Sequence, residues 1–114
     1  MKSIWLGLTM VATTAIAGSG GVGTGTVTGF IPGNVASGAS VFVFQTSSNQ
    51  TLASCNSTQR FSMSSANTQY TSTVAAVMSA YASGSSVTAI GLGTCNVVPN
   101  AEDLNYICVG TIPC

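Results

Sequence analysis

Four cysteines in a chain of 114 residues restrict its fold more than any other feature. No C-x-x-C occurs among Cys55, Cys95, Cys108 and Cys114, and the sequence has no histidine. This disfavours a structural zinc site and excludes a thioredoxin-like redox motif. A single domain of this size buries only about 60 to 65% of its unfolded surface, so disulfides supply stability that the core cannot. We expect two disulfides, for which three pairings are possible.

The first residues have the pattern of a secretory leader. Lys2 gives a short basic start, residues 4–16 are mostly apolar, and Ala15–Ala17 is an A-x-A cleavage signal. The apolar stretch is too short to span a bilayer. An uncleaved N-terminal helix or hydrophobic anchor is the alternative. We expect a signal peptide over residues 1–17 and a secreted or periplasmic protein with no membrane span in the mature chain.

Charged side chains are almost absent beyond the leader, where only Arg60, Glu102 and Asp103 remain. One arginine cannot neutralise the phosphates that a nucleic-acid partner presents, nor form a basic membrane-binding patch. Glu102 and Asp103 are neighbours that point to opposite faces of an extended backbone, so we interpret them as the solvated start of a strand and not as an acid pair. The serines have no base to activate them. We therefore expect neither an enzyme nor a cofactor or bound metal.

The segment "GSGGVGTG" over residues 18–25 contains G-x-G-x-x-G at Gly18, Gly20 and Gly23. A dinucleotide-binding loop needs a strand before it and a helix after it. Here a leader precedes the glycines and a Thr/Val alternation follows them. We predict a flexible linker over residues 18–23 and one domain over 24–114.

Apolar and β-branched runs predict five strands. Their expected ranges are Thr24–Pro32, Ala39–Thr46, Arg60–Ser65, Val87–Thr94 and Asp103–Gly110. The first strand would end in a turn at Pro32–Asn34. A polar loop, Ser47–Gln59, would carry Cys55. The second strand is apolar on both faces, which is typical of a central strand in a closed sheet.

A helix is predicted between the third and fourth strands, with Asn67 as its N-cap and Gly84 just after its last turn. Its apolar stripe, predicted to face the core, consists of Tyr70, Val74, Val77, Met78 and Tyr81. The opposite face, with Thr71, Ser72 and Ser79, carries no charge. We expect that face to lie against a partner subunit.

The element order β-β-β-α-β-β predicts a small, mainly-β fold, a five-stranded OB-type barrel stapled by disulfides. If the last two strands form a hairpin around residues 96–102, Cys95 lies at its tip and Cys108 about five residues into the return strand. At about 3.3 Å per residue this separation disfavours a Cys95–Cys108 bond. The other pairings stay open.

The order of these features resembles the B subunits of subtilase cytotoxin and of their pertussis-like and typhoid-toxin relatives, the AB5 toxin family. In that pattern a cysteine precedes the third strand, the helix ends in A-x-x-x-G, and G-x-G-x-C closes the next strand. The matching residues are Cys55, Ala80–Gly84, Gly91, Gly93 and Cys95. The resemblance covers residues 24–110 and is strongest to uncharacterised single-domain secreted members.

The resemblance implies a Cys55–Cys95 disulfide, which leaves Cys108 to pair with Cys114. It also implies a secreted, non-catalytic binding module of bacterial origin that forms a homo-oligomer, commonly a pentameric ring. Such a module would recognise a host glycan in shallow surface pockets and deliver a toxic A subunit. A bacterial source makes the two N-glycosylation sequons at Asn49 and Asn56 incidental.

Candidate glycan-binding residues are Thr26 and Thr28 in the first strand and Arg60 at the start of the third. The first strand has no Lys or Arg for the carboxylate of sialic acid. Arg60 is either a carboxylate partner or a structural donor to a nearby carbonyl. The alternative function is a self-assembling extracellular structural protein without a small ligand, since a net charge near zero removes the repulsion between copies.

Overall fold

Five strands and one helix follow each other in the predicted order. The computed structural model describes residues 20–36 and 39–114; the predicted leader and its cleavage signal lie outside this part of the chain. The elements are β1 (Val22–Ala36), β2 (Ala39–Thr51), β3 (Phe61–Ser64), α1 (Tyr70–Ser83), β4 (Ser86–Gly91) and β5 (Glu102–Val109).

The strands pair in the order β1-β2-β3-β5-β4, and β4 pairs with β1 to close the barrel. All pairs are antiparallel except β3 with β5, where Phe61 lies opposite Glu102 and Ser62 opposite Asp103. This parallel contact is short because β3 is only four residues long. β1 is long because it pairs with β2 along most of its length and with β4 through its first third.

The core is built on phenylalanines from β2 and β3. Phe42, Phe44 and Phe61 are fully buried and stack in sequence, with ring centroids 6.1 and 5.8 Å apart. Val41 and Val43 are buried as well. The prediction that the second strand is apolar and buried on both faces is therefore confirmed.

The helix ends where the sequence indicates and begins later. Gly84 has a left-handed conformation with φ 70°, and its N–H donates to the carbonyl of Ala80. Asn67, predicted as the N-cap, instead accepts a hydrogen bond from the N–H of Gln69 at 2.8 Å in the turn before the helix. The N-cap prediction is wrong by two residues, because the side chain of Asn67 accepts a hydrogen bond within the turn that precedes the helix.

The buried face of α1 differs from the predicted stripe. Thr73, Val77 and Ala80 are buried, whereas Met78 is 44% exposed and Tyr81 50% exposed. Val77 and Ala80 belong to the core cluster, since the small alanine lets the last turns of the helix lie close to it. The core assignment is thus wrong for Met78 and Tyr81.

Strand β1 continues through the residues predicted to form a turn. Pro32 and Gly33 lie inside it, at a register shift between Ile31 and Asn34 that places an extra residue on β1. Proline is tolerated at such a bulge because no ladder hydrogen bond from its nitrogen is needed there. Strand β2 likewise runs on to Thr51, into the predicted loop.

The predicted linker over residues 18–23 is also incorrect where the structure describes it. Gly21 is buried, and β1 begins at Val22. A side chain at Gly21 or Gly23 would collide with neighbouring atoms, so these glycines serve close packing and not flexibility.

Two disulfides join Cys55 to Cys95 and Cys108 to Cys114, with Cα atoms 6.1 Å apart in each pair. These are the pairs that the resemblance implies. The first bond ties the segment between β2 and β3 to the segment between β4 and β5. The second folds the C-terminal tail back onto β5.

We expect removal of the Cys55–Cys95 bond to destabilise the protein more than removal of the Cys108–Cys114 bond. The two bonds span 40 and 6 residues, and the loss of loop-closure entropy predicts costs of about 4 and about 2 kcal/mol. Urea denaturation of the two double cysteine-to-serine variants measures the difference. Equal losses, or a larger loss for the second variant, would contradict this account.

Candidate functional site

Arg60, the only predicted site residue with a charge, is held by other side chains of the protein. Its Nε donates to Oγ1 of Thr58 at 2.9 Å and its Nη2 donates to Oδ1 of Asn100 at 3.1 Å. Its own backbone N–H donates to Oδ1 of Asn56 at 3.2 Å. The guanidinium thus joins the loop before β3 to the loop before β5, which corresponds to the structural alternative expected for it.

The two predicted threonines lie on the outer face of β1, on either side of the buried Val27. The N–H of Thr26 donates to Oγ of Ser47 at 3.0 Å, and Oγ1 of Thr28 donates to the carbonyl of Gln45 at 3.3 Å. Both side chains are exposed.

A small pocket, here called the β1–β2 pocket, has a volume of about 140 Å³. It is lined by Gly29, Phe30, Ile31, Val43, Phe44, Gln45 and Arg60. Of the three predicted glycan-binding residues, only Arg60 lines this pocket. The structure therefore does not bring the three residues together in one cavity.

A larger cavity lies between the helix and the last strand, and we call it the α1–β5 cleft. Its volume is about 320 Å³, at the lower end of the range for small-molecule sites. It is lined by Gln69, Ser72, Thr73, Ala76, Asn105, Tyr106 and Ile107. Five of these side chains carry a hydroxyl or an amide, and none carries a charge.

The walls of the α1–β5 cleft are fixed by local hydrogen bonds. The hydroxyl of Tyr106 donates to the carbonyl of Cys114 at 3.2 Å, which connects the cleft to the tail held by the second disulfide. Oγ of Ser72 donates to the carbonyl of Gln69 at 3.1 Å. Both oxygens keep lone pairs with which to accept a further hydrogen bond.

Sequence reasoning missed this cleft because its two walls are about thirty residues apart in the chain and form no motif. The only signal was the uncharged helix face containing Ser72. That face is the one predicted to meet a partner subunit, and its Ser72 lines the cleft.

Glu102 is completely buried, so its interpretation as a solvated strand start is wrong. Its Oε2 accepts the backbone N–H groups of Gly21 at 2.7 Å and Gly93 at 2.9 Å, and its Oε1 accepts that of Ala53 at 3.1 Å. A Cβ on Gly91 would overlap the carboxylate. The glycines of "GLGTC" therefore surround an anion that belongs to the protein itself.

Asp103 is also buried, and the same interpretation is wrong for it. Its carboxylate accepts the hydroxyl of Thr94 at 2.6 Å and the backbone N–H groups of Asn96 and Val97 at 3.0 Å. It thereby holds the loop that follows β4. Glu102 and Asp103 do point to opposite sides of β5, but a separate set of donors surrounds each of them, and neither lines either cavity.

No group of three His, Cys, Asp or Glu side chains that could hold a metal ion occurs within residues 20–36 and 39–114. In the same part of the chain, no helix is long and apolar enough to cross a membrane.

Comparisons with known proteins give no match. No family model, no curated protein and no solved structure matches the chain. The function must therefore be argued from the chemistry of the cavities and from the resemblance described above.

Replacing Glu102 by Gln tests the buried carboxylate. In either orientation the glutamine amide places its NH₂ group against at least one backbone N–H. In the milder orientation that group is the N–H of Ala53, which is left without an acceptor. We expect a loss of about 1–3 kcal/mol in the free energy of unfolding, measured by urea denaturation.

The matched control is the reverse exchange at an exposed position, Gln50→Glu, which we expect to change stability by no more than about 0.5 kcal/mol. A Glu102→Gln variant as stable as this control would show that the hydrogen bond from Ala53 contributes nothing to stability.

Proposed function

We propose that the protein is a secreted, non-catalytic binding module built on an OB-type barrel, and that it binds neutral glycans. The strand order β1-β2-β3-β5-β4 supports the barrel type, as does a helix between the third and fourth strands. Two disulfides and the predicted leader fit an extracellular or periplasmic protein.

The observation that carries this proposal is that all three charged side chains of the mature chain are hydrogen-bonded within the protein. Arg60, Glu102 and Asp103 each make hydrogen bonds to other parts of the protein. What remains in the larger cavity is a set of hydroxyl and amide groups beside an aromatic ring. Such groups suit the hydroxyls of a sugar, which both donate and accept, while a tyrosine ring can stack on the apolar face of a sugar ring.

The same observation argues against catalysis. A general acid or base must reach the reacting atoms within hydrogen-bond distance. The carboxylates of Glu102 and Asp103 are buried among backbone donors and line neither cavity. The serine and threonine hydroxyls of the α1–β5 cleft thus have no carboxylate or histidine beside them to act as a base.

Self-association is the second part of the proposal, and an exposed apolar surface supports it. Met78 and Tyr81 are 44% and 50% exposed, and Tyr81 meets Phe30 edge to face with ring centroids 5.3 Å apart. We call Phe30, Met78 and Tyr81 the helix–β1 apolar face. The resemblance to toxin B subunits implies a closed ring, and in such a ring a second copy would cover this face; in the structural alternative, the same contact would propagate into a polymer.

A glycan array tests the ligand class. We expect the mature protein to bind neutral glycans and to gain nothing from terminal sialic acid. Since no ion pair is involved, affinity should change less than about twofold between 50 and 500 mM salt. Binding restricted to sialylated glycans, or a steep loss of affinity with salt, would contradict the proposed ligand class. Thr26, Thr28 and Arg60 stay predictions until alanine variants are compared on the same array.

Sedimentation velocity tests self-association. We expect a single closed oligomer for the mature protein and a shift toward monomer for Tyr81→Glu, because a carboxylate in an apolar contact must be desolvated. Gln50→Glu, which adds the same charge elsewhere, should leave the oligomer intact. An open series of larger species would favour the structural alternative, and a monomeric mature protein would contradict both.

A further inference from the structure

We infer that the α1–β5 cleft is a saccharide site, which takes a single pyranose ring without a carboxylate. The inference rests on the proposed glycan-binding function and gives that function a location. It also moves the site away from the residues that the sequence indicated, Thr26, Thr28 and Arg60.

The α1–β5 cleft and the β1–β2 pocket differ in volume. The α1–β5 cleft, at about 320 Å³, falls within the usual range of small-ligand sites, about 300–1,000 Å³, whereas the β1–β2 pocket, at about 140 Å³, falls well below it. Arg60, the charged residue that lines the smaller pocket, already donates hydrogen bonds to Thr58 and Asn100. Neither its size nor its free donors suit a sugar ring.

Hydrogen-bonding groups face each other across the cleft. Gln69 lies at the start of α1 and Asn105 lies on β5, and both line the cavity. Neither side-chain amide has a hydrogen-bond partner among the described residues. An amide presents a donor and an acceptor side by side, which matches two adjacent hydroxyls of a pyranose.

Tyr106 supplies the apolar contact that sugar binding needs. Its ring is 43% exposed and lines the cleft together with Ala76 and Ile107. Its hydroxyl is fixed on the carbonyl of Cys114, so the ring is oriented before a ligand arrives. A ring held in place can stack on the C–H face of a sugar without losing further side-chain entropy.

No cation lines the cleft, and this determines the ligand class. A carboxylated sugar would bring a charge that none of the seven lining residues can pair. Burying an unpaired charge is unfavourable, whereas neutral hydroxyls can be matched by the amides and hydroxyls present. The cleft therefore favours a neutral sugar over sialic acid.

The Cys108–Cys114 bond takes part in this site indirectly. It holds the segment in which the backbone oxygen of Cys114 accepts the Tyr106 hydroxyl. Cys108 and Cys114 are thus positioning residues for the cleft. Their double serine variant should weaken sugar binding while the rest of the barrel stays folded.

The test is a titration of the ¹⁵N-labelled mature protein with methyl galactoside, N-acetylglucosamine and sialic acid, followed by NMR chemical shifts. We expect shifts at residues 69–76 and 105–107 with a neutral sugar and weaker ones with sialic acid. Asn105→Ala should weaken binding about fivefold, the effect of one lost hydrogen bond. Gln45→Ala, which removes an amide from the β1–β2 pocket, should leave affinity unchanged.

The possible results separate the two proposals. Shifts confined to residues 29–31, 43–45 and 60, or equal affinity of Asn105→Ala and the unaltered protein, would overturn the cleft and leave glycan binding intact. Stronger shifts with sialic acid than with either neutral sugar would overturn the ligand class. No shift with any of the three sugars at tens of millimolar would contradict both the cleft and the proposed function.

Discussion

The buried carboxylate of Glu102 is the interaction on which the rest of this barrel depends. Its two oxygens accept backbone N–H groups from three separate segments: the start of β1, the loop after β2 and the loop after β4. A carboxylate removed from water is strongly unfavourable unless donors replace its hydration. Because those donors come from distant parts of the chain, the charge is stable only when all three segments are in place. The Cys55–Cys95 bond lies between two of these segments and reinforces the same end of the barrel.

Because the charged side chains are hydrogen-bonded within the protein, the groups left for binding at the surface are uncharged. Arg60, Glu102 and Asp103 are hydrogen-bonded within the protein, so the proposed recognition would rest on hydroxyls, amides and apolar side chains. The α1–β5 cleft offers the polar part of this set and the helix–β1 apolar face offers the other. These two surfaces suit different partners, a neutral sugar and a second copy of the chain. A module that binds weakly at one site gains avidity when several copies assemble, so the two proposals support each other physically.

Features encoded locally were predictable from the sequence, and features set by distant contacts were not. Apolar runs and Gly84 gave the element order and the end of the helix, because each depends on neighbouring residues. The burial of Glu102 could not be predicted. Its three donors are spread over more than seventy residues, and they are backbone N–H groups, which every residue type except proline carries. The helix face was misplaced at Met78 and Tyr81, because the buried face of α1 includes Thr73 and Ala80, whose residue types do not indicate burial. The cleft was missed because two uncharged surfaces form it only after α1 packs beside β5.

A crystal structure of the mature protein with a neutral saccharide tests the central claim most directly. The account predicts the sugar ring between α1 and β5, stacked on Tyr106 and hydrogen-bonded to the amide of Asn105, with Arg60 still bound to Asn100. The same sugar seated in the β1–β2 pocket, with the α1–β5 cleft empty, would contradict it.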